Sequence, residues 1–276
     1  MNSNEITILK KIVDDSDRLI TPSFQFIFCY FSFFVKVSDI SVILENCKLE
    51  EIIMVNKVAW ITGAGSGIGE ASAIKLSEEG FIVVLSGRTK EALDSVASKC
   101  GGQASVKPLD VSNSEDVEGV FKNIISDYGR IDVLVASAGL NAKNRNWHNV
   151  SDEDFDQIIK IDLNGVFYTN RLVLEKMKEQ REGLIINISS WAGKYVTTLT
   201  GPAYTAAKHG VNALTEGINM EAGHFGVRAC AICPGEVATP ILDKRPIPVS
   251  KEDKEKMVQP EAVSYTHLTL PTRAQV

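Results

Sequence analysis

Tyr204-Thr-Ala-Ala-Lys208 sets a phenol and an ammonium four residues apart. On a helix that spacing brings both side chains onto one face. A free tyrosine, with a pKa near ~10, transfers protons poorly at neutral pH. A neighbouring ammonium favours the phenolate and lowers that pKa. General acid–base catalysis gains most when the group is tuned toward the operating pH. The pair is therefore a candidate proton-transfer unit, although five residues of this kind also arise by chance on amphipathic helices.

A second motif supplies what the first lacks, a place for a phosphate-bearing reactant. Thr62-Gly-Ala-Gly-Ser-Gly-Ile-Gly69 follows an apolar run, Val58 to Ile61, and opens a segment of helical period, Ile68 to Glu79. In such a turn Gly63 permits the tight bend, Gly67 lets backbone approach a pyrophosphate, and Gly69 allows the helix to pack closely on the strand. Ser66 and Ile68 sit between these glycines, where the new helix presents free N–H groups and a partial positive charge to an anion. About 20 residues on, where an acid would read a ribose 2′-hydroxyl, the chain has Ser86-Gly87-Arg88. A carboxylate would repel a 2′-phosphate, whereas an arginine fork pairs with one. The expected cofactor is a nicotinamide dinucleotide, with NADP(H) favoured over NAD(H).

These motifs need a frame, and the apolar patterning provides one. Strand signals at Val58–Ile61, Phe81–Leu85, Ala104–Leu109, Ile131–Ala136, Leu184–Ser189 and Val227–Cys233 alternate with helical ones. The helices are expected over 68–79, 90–99, 114–128, from Ser151 toward Lys178, and over 203–222. Ser151, with Asp154 three residues later, reads as the start of the fourth helix. Short buried strands alternating with helices predict an α/β fold: a doubly wound parallel sheet, Rossmann-like, in a single domain. In such a sheet ligands bind outside the carboxyl ends of the strands, where most of these motifs fall.

The Gly-x-x-x-Gly-x-Gly spacing after Thr62, together with Tyr204 and Lys208, resembles the short-chain dehydrogenase/reductase family. The resemblance covers Val55 to about Ala262. It implies an oxidoreductase that moves hydride between NAD(P)(H) and the carbinol or carbonyl carbon of a small-molecule alcohol or ketone, with Tyr204 as general acid/base. It implies that Lys208 also bonds the nicotinamide ribose and that Asp110-Val111 contacts the adenine. Only Ala138 and Gly139 of Ala136-Ser-Ala-Gly139 match the family's Asn-Asn-Ala-Gly. Pro234-Gly235 is expected to pack on the nicotinamide, with Val237 and Thr239 just beyond and the threonine on the carboxamide. In Asn187-Ile-Ser-Ser190 the serine that holds the substrate oxygen is expected to be Ser190, fourteen residues before Tyr204 where thirteen is usual. The family's catalytic asparagine falls at Asp162, counting back from Gly165, rather than at Asn164. A carboxylate there can still accept from a water linking to Lys208, and its negative charge is expected to raise the Tyr204 pKa. The rival reading is a dinucleotide-binding sensor or scaffold with little turnover, against which Ser190, Tyr204 and Lys208 all argue.

Composition narrows the remainder. A net charge of −6 lacks the basic footprint of a nucleic-acid binder. The five cysteines are scattered and odd in number, which is no disulfide framework and suits a reducing, cytoplasmic setting. Cys230-Ala-Ile-Cys233 invites a metal or redox reading, but residues three apart in a strand face opposite sides, so no metal site is expected. His209 and His224 are read as helix-surface residues, and His148 as a candidate cleft residue.

The ends differ in character from the middle. Phe24 to Val37 is crowded with aromatics yet too short for a membrane span of roughly 20 apolar residues. Met54-Val55-Asn56-Lys57 looks like a natural start. Residues 1–53 are therefore expected to be an extraneous extension, with a membrane-associating segment as the rival and no membrane contact expected of the rest. Residues 263–276, beginning Val263-Ser-Tyr-Thr-His-Leu, resemble a translated sequencing adapter. On this reading the catalytic domain is 54–262, lacks the family's last strand, and would assemble as a homodimer or homotetramer when full length.

Overall fold

The computed structural model describes residues 57–247 and 249–265. Most of the expected extension and tail lies outside them. Six strands form one parallel sheet: β1 Val58–Thr62, β2 Ile82–Ser86, β3 Ala104–Val106, β4 Val133–Ala136, β5 Gly183–Ile188 and β6 Val227–Ile232. Their order is β3-β2-β1-β4-β5-β6. The direction of winding reverses between β1 and β4, which pair from Ala59↔Val133 to Thr62↔Ala136. The carboxyl ends of these two central strands part there, and a crevice opens above them.

The strands read as continuous apolar runs because helices cover both faces. Alternate residues of one strand enter different cores. Ala59, Ile61, Val83 and Leu85 pack with Ala73, Leu76, Leu93 and Val96 on one side. Val58, Trp60, Val84 and Leu134 pack with Val117, Ile124, Val173 and Met177 on the other. The first side is covered by α1 Gly67–Glu78 and α2 Lys90–Ala97. The second is covered by α3 Ser114–Tyr128, α5 Gly165–Gln180 and α6 Pro202–Ala222. Val263, at the first position of the suspected tail, is itself buried in the first core.

Two boundaries differ from expectation for reasons visible in the chain. β3 stops at Val106, two residues before Pro108, whose ring holds φ away from the regular strand value. Lys107 and Leu109, on either side of it, still donate to Leu85 and Gly87. β4 starts at Val133, because the Asp132 carboxylate itself takes the Val58 N–H at 2.8 Å.

The larger correction concerns the helix expected from Ser151 toward Lys178. Ser151 does cap it, accepting from the Asp154 N–H at 3.0 Å. The helix then divides into α4 Asp152–Ile159, a π-helical turn Lys160–Asn164, and α5. One residue more per turn, inserted at Asp162, re-aims that side chain; such turns recur at functional sites. Beyond β6 come a 3₁₀ turn, Pro240–Lys244, and α7 Lys251–Lys256. Among the described residues no strand follows β6, although Val237 makes an isolated parallel bridge to Val258.

Candidate active site

The glycine turn after β1 is built by close approach. Gly63 has φ +65°, and a Cβ there would sit 2.7 Å from the Ala138 nitrogen beyond β4. A Cβ on Gly69 would lie 2.2 Å from the Gly63 carbonyl oxygen, so α1 can seat on the turn only without a side chain there. Gly67, at φ +58°, opens α1 and faces the Thr239 side chain, which a Cβ would meet at 3.0 Å. Ser66 is the N-cap residue, but its side chain makes no capping hydrogen bond. Ser66, Gly67 and Ile68, at the start of α1, border the crevice between β1 and β4.

That crevice is one continuous cleft of about 810 Å³. Gly63, Ser66, Gly67, Ile68 and Arg88 line it near the turn, and Ala138 and Gly139 line its middle. Asp162, Ser190, Tyr204, Lys208, Pro234, Gly235, Val237 and Thr239 line it beyond. Gly69 supports the turn from beneath rather than lining the cleft. Arg88 also borders a smaller cavity with Asp110, Ser112 and Lys160. Burial there works against the Asp110 carboxylate. Hydrogen bonds from Ser112 and the charges of Arg88 and Lys160 outweigh it and hold its pKa below the usual range. Asp110 does not cap α3, a task done by Asn113. Val111 lines neither cavity; it is buried against Gly165.

Lys208 anchors the centre. Its Nζ donates to the Ile188 carbonyl at 3.0 Å, lies 3.4 Å from Asp162 Oδ2, and stands 5.4 Å from the centroid of the Tyr204 ring. Asp162 is fully buried; its Oδ1 accepts the Leu140 N–H at 2.8 Å, and its Oδ2 has no hydrogen-bond partner. Gly139 leaves room for the pair, since a Cβ there would be 3.2 Å from Oδ2. The π-helical turn is what brings Asp162 here. Asp162 thus lies beside Lys208 and lines the cleft, whereas Asn164 does not line it.

The electrostatics differ from the first expectation. The Lys208 ammonium does pull the Tyr204 pKa down, as does the Ser190 hydroxyl. Burial pushes harder, Asp162 adds to it, and the phenol stands above its ordinary value in this state. Burial likewise opposes the Lys208 ammonium, but the charges of Asp162 and Tyr204 prevail and keep its pKa raised.

The two serines separate cleanly. Ser189 is buried and donates to the Lys208 carbonyl at 3.2 Å. Ser190 accepts from the Ala192 N–H, capping a 3₁₀ turn at Trp191–Gly193, and lines the cleft with Tyr204. The 3₁₀ turn and residues 194–201 lie between Ser190 and Tyr204. There Gly201, at φ +76°, passes so close to the Arg145 carbonyl that a Cβ would lie 2.0 Å from it.

Outside the centre, His148, His209 and His224 are exposed, and His148 does not line the cleft. Cys230 and Cys233 are free thiols, and no metal-ligand cluster exists among the described residues. Sequence reasoning passed over Arg145. It is 5% exposed, donates through Nε to the Ala142 carbonyl at 2.7 Å and through Nη2 to the Lys244 carbonyl, and lines the cleft. No local pattern marks it, because Lys244 lies 99 residues away.

With this geometry in view, the comparisons agree on a family. The family model for short chain dehydrogenases matches residues 57–247. An uncharacterised oxidoreductase of Staphylococcus aureus (strain USA300) is 38% identical over 226 residues, covering 81% of this chain and 96% of the relative. The chain belongs to the short-chain dehydrogenase/reductase family of Rossmann-fold oxidoreductases. Among solved structures, an alcohol dehydrogenase from the archaeon Thermococcus sibiricus, complexed with 5-hydroxy-NADP, superposes with a TM-score of 0.71. It is 31% identical and covers 78% of this chain and 90% of its own. A 3-ketoacyl-(acyl-carrier-protein) reductase from Brucella melitensis, complexed with NADH, gives 0.71 at 30% identity with the same coverage.

Proposed function

We propose that this protein interconverts an alcohol and a carbonyl compound using NAD(P)(H), with Tyr204 as the acid/base. One observation carries the reading: Ser190, Tyr204 and Lys208 converge in a cleft that runs without interruption to the glycine turn. The residues fit a dinucleotide. Gly63 and Gly67 hold the turn in conformations that favour glycine, and the first residues of α1 line the cleft. The nicotinamide, when bound, supplies or accepts the hydride. Arg88, with no acid at the end of β2, favours NADP(H).

Within this reading Ser190 holds the substrate oxygen beside the Tyr204 hydroxyl. In alcohol oxidation Tyr204, as phenolate, takes the hydroxyl proton; in reduction it returns one. Lys208 stabilises the phenolate, and Asp162 holds Lys208 as an ammonium. The positive charge of an oxidised nicotinamide would draw the Tyr204 pKa back down from its raised value. Tyr204→Phe should lower kcat by about 10²–10⁴-fold while leaving the NADP(H) dissociation constant unchanged. Turnover at the wild-type rate in that variant would overturn the assignment. A higher kcat/KM with NAD than with NADP would overturn the cofactor preference.

A further inference from the structure

Arg145 poses a question that its hydrogen bonds do not answer. A guanidinium removed from water normally has a carboxylate beside it. Among the described residues none lies within ion-pair distance of Arg145, and its two bonds go to neutral carbonyls. Neighbouring Arg245 is committed differently, with its Nη2 2.6 Å from Glu236. Arg145 thus has no ion-pair partner among the described residues, and Nη1 takes no part in either carbonyl bond. Burial and the like charge of Arg245 act against its protonated form and outweigh the favourable influence of Tyr204. The placement is equally specific. Arg145 stands where the cleft containing Ser190 and Tyr204 meets a second cavity of about 730 Å³. Leu199 and the paired Glu236 and Arg245 line both cavities with it, and Trp191 and Leu242 add apolar wall on the cleft side.

We propose that Arg145 is an anion-binding residue of the substrate site and that the substrate carries a carboxylate in addition to its reacting oxygen. One positive charge without an ion-pair partner matches a monoanion, and the planar edge of a guanidinium matches the two oxygens of a carboxylate. The apolar wall suits a hydrocarbon segment between the carboxylate and the reacting carbon. A purely structural Arg145, tying its loop to the segment after β6, would need donors but no charge. This assignment rests on the oxidoreductase reading for its reaction, though not for its anion site.

The test uses the full chain, with and without saturating NADP⁺, titrated with 4-phenylbutyrate and its uncharged analogue 4-phenylbutyramide in a calorimeter. The wild type should bind the acid about tenfold or more tighter than the amide, Arg145→Gln should bring the two within about twofold, and Arg145→Lys should fall between. Undetectable or equal binding of both probes by the wild type overturns the proposal, as does a preference for the acid that survives in Arg145→Gln. The wild-type ratio decides even if the glutamine variant fails to fold. Selective acid binding without any NADP(H) binding would sink the oxidoreductase reading and leave the anion site standing. Ketone turnover without acid selectivity would do the reverse.

Discussion

Around Gly63 to Gly69 the wall of the cleft is largely backbone, whereas around Arg145, Leu199 and Arg245 it is side chains carried by separate loops. The first region needs only that certain residues lack a Cβ and that a strand be followed by a helix. Both conditions are local. The second depends on bonds such as Asn141 to the Thr200 carbonyl, 59 residues away, and Arg145 to the Lys244 carbonyl. A backbone-built site can be recognised from glycine spacing and tolerates change everywhere else. A side-chain site is invisible until the loops meet, and it is free to differ between relatives that share the first.

This contrast can be broken most directly at the junction of the two regions. Ser190→Ala should lower kcat about 10²-fold, by analogy with the loss of one transition-state hydrogen-bond donor, while Ser189→Ala should leave kcat nearly intact. Ser189→Ala should instead cost about 1 kcal/mol of stability through its bond to the Lys208 carbonyl, read by denaturant unfolding. If the two serines exchange these phenotypes, the assignment of Ser190 fails. On the backbone side, Gly69→Ala should destabilise by about 1–3 kcal/mol through overpacking against the Gly63 carbonyl and weaken NADP(H) binding in parallel. An unchanged melting temperature together with unchanged cofactor affinity would show that the close approach is not needed.

The smallest expected effect lies at Asp162. Its carboxylate helps to raise the Tyr204 pKa. The asparagine variant should therefore remain active, with the Tyr204 pKa lowered. Alcohol oxidation requires the deprotonated phenol, so its rate climbs as pH passes upward through that pKa. Lowering the pKa moves the climbing limb of the kcat profile to more acidic pH. A shift toward alkaline pH, or total loss of activity with intact folding, would show that the carboxylate has a role of its own.

Much of the frame was legible in the chain. The period of Ser114 to Tyr128 located α3 residue for residue, and the apolar runs placed all six strands. The Tyr204–Lys208 spacing put both groups on one helix face, and both line the cleft. The π-helical turn at Lys160–Asn164 was not legible, because its cause is tertiary. The Asp162 carboxylate is drawn inward by the Leu140 N–H and the Lys208 ammonium, neither of which is a sequence neighbour. The raised pKa of Tyr204 was likewise out of reach, since the ammonium is written in the motif while the burial that outweighs it is not. Arg145 lacked any signal, having no motif and no nearby partner of opposite charge.

Lys208 holds the end of β5 twice, through its ammonium on the Ile188 carbonyl and through its own carbonyl on the Ser189 hydroxyl. The alignment of α6 with the strand is therefore fixed from within and does not depend on the segment that joins them. Ser190 and Tyr204, fourteen residues apart, line one cleft on either side of that segment. Exchange of residues 194–201 for the corresponding stretch of a relative should accordingly transplant selectivity while the reacting groups keep their places. The joint between β5 and α6 works as a fixed hub, with the connecting loop as an interchangeable part.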